Sequence, residues 1–151
     1  MTATPGLDEI FTRALATVSR QWKRRLDMRF RDLRLSQARW GVLLELSRHA
    51  EVTQIELARA LGIEGATLVR LLDGLEAAGL VERQPCPEDR RAKKLHLTAK
   101  AMPLLDRMKR IAAASRAEIL ADIPPEDLRT ATQVLERIAA RLEMMGNDEN
   151  G

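Results

Sequence analysis

The segment from Thr53 to Leu97 constrains the fold more than any other part of this chain. It begins with TQIE, Thr53 to Glu56, whose spacing is that of a capping box at the start of a helix. That helix meets Gly62, a residue suited to a tight turn, and a second helix is expected from about Glu64 to Ala78. Two short helices joined by a glycine turn predict a helix-turn-helix.

A β-hairpin is predicted directly after this pair of helices. The residues LVERQ, which follow Gly79, favour a strand, and KKLHL alternates in polarity as a returning strand would. Between them, PCPEDRRA is expected to be a loop held open by Pro85 and Pro87. The expected fold is therefore mainly α with a small β-hairpin, called the wing below, which makes a winged helix-turn-helix.

Longer helices are expected on both sides of this part. Apolar residues recur at helical spacing from Leu7 to Leu33, and Ser36 offers an N-cap for a helix that ends near His49. After the hairpin, Thr98 is expected to cap a fifth helix, and Pro124 and Pro125 separate it from the last one.

The chain is expected to be a single domain over residues 1–151. Its winged helix-turn-helix part spans 36–98, and the helices of 7–33 and 99–145 flank it. These helices are too long for so small a domain to cover, so their apolar stripes predict a two-fold homodimer.

Composition excludes several other classes of protein. The first residues lack the features of a secretory signal, no apolar run is long enough to span a membrane, and one cysteine allows no internal disulfide, so a cytoplasmic location is expected. No phosphate loop or nucleophile motif is present, and His49 and His96 are far apart in sequence without a ligand at metal spacing. Neither enzyme activity, nor a cofactor, nor a bound metal is predicted.

The candidate DNA contacts follow from the expected helix-turn-helix. The second helix of such a motif enters the major groove with its first turns, while the preceding helix crosses the DNA backbone. The predicted contacts at the starts of the three helices are Ser36, Gln37, Arg39, Thr53, Gln54, Gly65, Ala66, Thr67 and Arg70. Small residues at 65 and 66 allow close approach, and Arg70 can reach guanine or phosphate.

The wing supplies the second set of candidates, Asp89, Arg90, Arg91, Lys93 and Lys94. Arginine is favoured in a narrow minor groove by the negative potential there, and a neighbouring carboxylate can hold its guanidinium in place. We therefore expect Asp89 to orient the arginines. On charge alone this string is more often a solvated turn, and its position after a helix-turn-helix is what favours DNA binding.

The stretch from Thr53 to Ala101 resembles the MarR family of regulators, and within it the SlyA-like branch. The motifs LARALGIE, LVRLLDGLEAAGLVERQ, DRRAKK and LHLT occur in family order and spacing. The resemblance implies homodimers on inverted-repeat double-stranded DNA, with Asp89 and Arg91 matching the D-x-R motif of the wing and Arg91 entering the minor groove. It also implies a repressor that a small aromatic carboxylate or phenol releases from DNA, with Arg20, Trp22, Trp40 and His49 as candidate effector contacts.

The sequence is compatible with several alternatives. One is an effector-independent regulator that counteracts nucleoid silencing, and another is a winged helix reused for protein interactions. The region from Arg20 to Arg39 has eight basic residues against Asp27 and Asp32. Its arginine-dense part, Arg20 to Arg34, suggests a surface for an anionic effector such as an aromatic acyl-CoA. Cys86 is a weak candidate for a redox switch, because thiolates near cations are activated.

Overall fold

The computed structural model describes residues 4–149 and shows a mostly helical protein with one small sheet. The elements in chain order are α1 (Leu7–Arg29), a 3-10 turn (Arg31–Leu33), α2 (Gln37–Leu46), β1 (Val52–Thr53), α3 (Gln54–Leu61), α4 (Gly65–Ala77), β2 (Val81–Cys86), β3 (Asp89–Leu97), α5 (Ala101–Ile119) and α6 (Pro125–Glu149). The predicted mainly helical fold with a β-hairpin is confirmed.

The chain divides into two compact units, one up to Ala114 and the other from Ser115 onward. The first contains α1 to α4, the sheet and most of α5. Its core is aliphatic and carries the pair Phe30 and Trp40, whose rings meet edge to face with centroids 5.2 Å apart. The second unit contains the end of α5 and α6.

The predicted start of α3 is correct in detail. The Thr53 hydroxyl accepts a hydrogen bond from the Glu56 amide at 3.2 Å, and a Glu56 carboxylate oxygen accepts one from the Thr53 amide at 2.8 Å. This capping box lowers the pKa of Glu56, mainly through the Thr53 backbone hydrogen bond. At the other end of α3, Gly62 has a φ of 64°, a conformation that glycine adopts without strain.

The sheet has three strands in the order β1-β3-β2, all antiparallel. The predicted hairpin is β2 and β3, whereas β1 was not predicted. It pairs Val52 with Leu95 and Thr53 with Lys94, and two residues are too short for a recognisable alternation of polarity. β1 attaches the start of α3 directly to the wing.

Three expected boundaries are wrong. The first helix ends at Arg29 rather than Leu33, because the chain turns at Phe30, which is fully buried against Trp40. The second helix ends at Leu46, before His49. Thr98 does not show the predicted cap, because its hydroxyl donates instead to the carbonyl of Gly79 at 2.6 Å, and α5 begins at Ala101.

Candidate nucleic-acid interface

The start of α4 presents small and polar residues on its open side. Leu68, Leu72 and Leu75 are buried and fix the inner face of the helix. Gly65, Ala66 and Arg70 are exposed as a consequence, whereas Thr67 is half-buried. An exposed first turn with small side chains is what close approach to a groove requires.

The predicted contacts at the starts of α2 and α3 have two kinds of surroundings. The Ser36 hydroxyl accepts from the Arg39 amide at 3.3 Å and so caps α2, and Gln37 and Arg39 are exposed beside it. Thr53 has its hydroxyl engaged in the capping box, and Gln54 is half-buried. The first group is therefore more open to a partner than the second.

The tip of the wing, residues 85–93, differs from the predicted loop. Both strands continue through it, and the turn between Cys86 and Asp89 consists only of Pro87 and Glu88. The expectation of an open loop was wrong because prolines are tolerated in a strand that does not need their amide for pairing.

An irregularity in the hairpin sets the arginines apart from the strand pairing. Pro85 pairs with Lys93 but the next residue, Cys86, pairs with Asp89, so Arg90, Arg91 and Ala92 have no partner on β2. Such a bulge bends a strand and redirects its side chains. Arg90, Arg91 and Lys93 are exposed, and none forms an ion pair with an acidic side chain in residues 4–149.

Asp89 orients this segment by a different contact from the one predicted. Its carboxylate accepts a hydrogen bond from the backbone amide of Arg91 at 2.9 Å, instead of one from a guanidinium. An aspartate that accepts from the amide two residues on forms a local turn. Asp89 therefore fixes the backbone from which the Arg91 side chain projects.

The base of the wing, residues 81–84 with 94–97, holds its cations in ion pairs. The Arg83 guanidinium contacts the carboxylates of Asp73 and Glu76 on α4, with Nε of Arg83 3.1 Å from Oε2 of Glu76. These bonds raise the pKa of Arg83, and the bond from Arg83 lowers the pKa of Glu76. These three residues were not predicted from the sequence, where their only signal is two carboxylates on one face of α4.

Lys94 belongs with the base rather than the tip. Its ammonium lies 3.1 Å from Oε2 of Glu51, just before β1, and this hydrogen bond raises the pKa of Lys94. The predicted role of Lys94 as a phosphate contact thus competes with an internal partner. Lys93, its neighbour, points to the other face of the strand and is exposed.

The four candidate effector residues do not converge. Trp40 is buried, its Nε1 donates to Asp27 at 3.2 Å, and it lines a cleft of about 440 Å³. His49 pairs with Glu45 at 3.1 Å and lines a different cleft of about 300 Å³. Arg20 is exposed near Thr17, and Trp22 is half-buried.

The larger cleft lies between α1, α2 and the start of α4. Its walls are mainly apolar, and Lys23, Gln37 and Thr67 provide polar groups. Leu61 and Ile63 close it on the side of the helix-turn-helix. The lining of this cleft therefore includes Thr67, one of the predicted DNA contacts on α4.

The other candidate reactive or metal-binding residues are Cys86, His49 and His96. Cys86 is buried with 7% of its surface exposed, which shields its thiol from oxidants. His49 and His96, distant in sequence, line the same smaller cleft, but residues 4–149 contain no group of three or more metal-binding side chains. Within the same residues, no helix has the length and apolar character needed to cross a membrane.

Comparison with known proteins finds the same architecture. The model of the MarR family matches residues 35–92. The solved structure of the transcriptional regulator PA3341 is 51% identical, covers 88% of this chain and 98% of its own, and superposes with a TM-score of 0.83. AbsC, a MarR family transcriptional regulator from Streptomyces coelicolor, is 25% identical over 94% of this chain and 99% of its own, with a TM-score of 0.80.

A third structure shows the same fold at lower identity. It is a mutant of MarR from E. coli complexed with operator DNA, which is 24% identical over 89% of this chain and 99% of its own, with a TM-score of 0.75. At this identity the likeness shows a shared fold.

Proposed function

This chain belongs to the MarR family of transcriptional regulators, and we propose that it binds inverted-repeat double-stranded DNA as a homodimer. In this proposal α4 enters the major groove and the wing tip enters the adjacent minor groove, with Arg91 as the inserted side chain. The observation that carries the proposal is the wing itself: its tip presents Arg90, Arg91 and Lys93 exposed, while its base cations are neutralised internally. With DNA as the proposed partner, the proposed location is the cytoplasm.

Exposed apolar faces on the flanking helices support the homodimer. On α1, Leu7 is 83% exposed and Val18 54%, and on α6 Leu142 is 62% exposed. On α1 these side chains recur at helical spacing together with Ile10, Phe11 and Leu15, and contiguous exposed apolar surface of this kind marks an interaction site. A dimer also places two copies of α4 at a fixed spacing, which an inverted repeat matches.

Selection from a random-sequence duplex library, followed by fluorescence anisotropy, tests DNA binding. The wild-type protein should enrich an inverted repeat, and its affinity should fall steeply with salt because phosphate contacts release counterions. A protein that enriches no duplex, or whose binding does not respond to salt, contradicts the proposal and favours a protein-interaction module.

We also propose that the protein is a repressor of the SlyA-like branch, released by a small aromatic carboxylate, a phenol or an aromatic acyl-CoA. The cleft beside α4 supports an effector site, since its volume of about 440 Å³ is within the range of small-molecule pockets. Lys23 offers a counter-charge for a carboxylate, and Thr67 connects the cleft to the first turns of α4. A molecule that displaced Thr67 would change how α4 meets the groove.

The effector is tested by titrating benzoate, salicylate and benzoyl-CoA into the protein bound to its selected duplex. Release is expected in the wild type, and Lys23→Met should weaken it for the carboxylates while DNA affinity stays unchanged. Lys109→Met, an exposed lysine on α5, is the matched control. If benzoyl-CoA is no more potent than benzoate, the arginine-dense stretch from Arg20 to Arg34 has no role in recognising the nucleotide part.

The alternative is a regulator that needs no effector and counteracts nucleoid silencing. The buried Trp40, already bonded to Asp27, is consistent with either function. Absence of release by every compound at saturating concentration favours this alternative.

A further inference from the structure

Gly74 leaves a space on α4 that a side chain from another helix fills. It lies in the interior of α4, where glycine is the least favourable residue apart from proline. A Cβ atom at this position would lie 2.5 Å from Nη2 of Arg39, 3.0 Å from its Cζ and 3.3 Å from its Nε. The guanidinium therefore occupies the volume that any other residue at 74 would need.

Arg39 reaches this place from the first turn of α2. Its amide is fixed by the hydrogen bond to the Ser36 hydroxyl, and its side chain is exposed. Three consecutive atoms of the group lie within 3.3 Å of the point where a Cβ of residue 74 would be, so the guanidinium lies beside the backbone of α4. The side chain of an α2 residue thus lies beside α4 at Gly74.

The location on α4 suits a contact to the DNA backbone. Gly74 follows Thr67 by seven positions, which places it on the same side of α4 about 10 Å further along the helix. With the first turn of α4 in a major groove about 12 Å wide, this distance leads to the groove edge, where the phosphates lie. Arg70 is exposed on α4 one turn before Gly74. Arg70 and the Arg39 guanidinium therefore lie at successive turns of α4.

We propose that Gly74 is a positioning residue for DNA binding: by lacking a side chain, it lets α4 hold the Arg39 guanidinium at the groove edge against a phosphate. The inference rests on the proposed function, because it concerns how the same interface is built. It assigns a role in binding to a glycine that itself touches no DNA.

Gly74→Ala, Arg39→Ala and the double variant test this proposal on the duplex selected by the wild type. Gly74→Ala should weaken binding about fivefold at about 0.15 M salt and lower the salt slope by about one, as expected for one lost phosphate contact. Arg39→Ala should give a similar loss. The double variant should bind no more weakly than Arg39→Ala, because both changes remove the same contact.

Thermal unfolding separates this effect from a damaged helix. Alanine favours a helix more than glycine does, and the displaced group is the end of a flexible side chain, so the Tm of Gly74→Ala should not fall. The matched control is Arg48→Ala, an exposed-arginine variant just after α2. It should bind as the wild type.

Three results would each overturn the inference. They are wild-type affinity and salt slope in Gly74→Ala, additive losses of DNA affinity in the double variant, and weaker binding accompanied by a lowered Tm. Failure of the wild type to enrich any duplex overturns the proposed function and this inference together. Wild-type binding with an unaffected Gly74→Ala overturns the inference alone.

Discussion

The two ends of the wing carry similar cations in opposite electrostatic surroundings. At the base, Arg83 contacts two carboxylates of α4, and Lys94 contacts Glu51. At the tip, Arg90 and Arg91 are exposed and form no ion pair within residues 4–149. This difference indicates that the base attaches the wing to the helix-turn-helix, while the tip keeps its charge available for a partner.

The strand register produces this difference. Pairing is regular from Val81 with Leu97 to Pro85 with Lys93, and it shifts at Cys86. Residues on the regular side are held beside α4 and β1, whereas the two tip arginines lie in the unpaired bulge. Basic composition alone does not distinguish a cation that binds DNA from one that supports the fold.

The largest effect is expected from Arg91→Ala at the tip. Operator affinity should fall by about 1–3 kcal/mol, the usual range for a good groove contact, with unchanged dimerisation and Tm. Anisotropy with the selected duplex and analytical ultracentrifugation measure the affinity and the dimerisation. Unchanged affinity would remove the proposed distinction between tip and base.

Arg83→Ala tests the base and should act mainly on stability. Loss of the contacts to Asp73 and Glu76 should lower the free energy of unfolding by about 1 kcal/mol, since both carboxylates are partly exposed and screened by water. Urea unfolding measures this change. Arg83→Ala should not lower DNA affinity as much as Arg91→Ala while leaving stability unaltered. That result would contradict a structural role for the wing base and a DNA-binding role for the tip.

The pH dependence of stability sharpens the role of Glu76. Its pKa is lowered in the folded protein from an ordinary value of 4.5, so the ion pair stabilises the fold above that pH and is lost as pH falls through the folded pKa. Glu76→Gln should therefore destabilise the protein at neutral pH and reduce the stability lost between about pH 5 and pH 3. A wild-type acid profile in the variant would show that Glu76 contributes nothing.

The smallest effect distinguishes Lys93 from Lys94. Lys93→Ala should lower the salt slope of DNA binding by about one if it contacts a phosphate, and Lys94→Ala should change the slope less because Glu51 already engages the ammonium. Equal slopes in the two variants would contradict the placement of Lys94 at the base.

Much of the helix-turn-helix was predictable because its signals are local. The capping box of Thr53 and Glu56, the Ser36 cap and the turn at Gly62 each depend on residues a few positions apart, and all three are confirmed.

The internal contacts of the candidate site residues on the wing could not be predicted from the sequence. Asp89 was expected to hold a guanidinium and instead binds the Arg91 amide. Lys94 stays a predicted DNA contact, and no sequence pattern indicated its ion pair with Glu51. Both outcomes depend on backbone geometry and on packing that residue types alone do not specify.

The sequence by itself therefore determined the order of helices and strands, the caps and the cationic hairpin, because hydrogen bonds between near neighbours and helical spacing specify them. Only the tertiary structure decided which cations are neutralised, where Arg39 lies against Gly74, and that β1 joins the sheet. These contacts join residues distant in the chain, and their partners depend on how α2, α4 and the wing pack together. Wing-tip and wing-base cations look alike in sequence, and the fold gives them different neighbours.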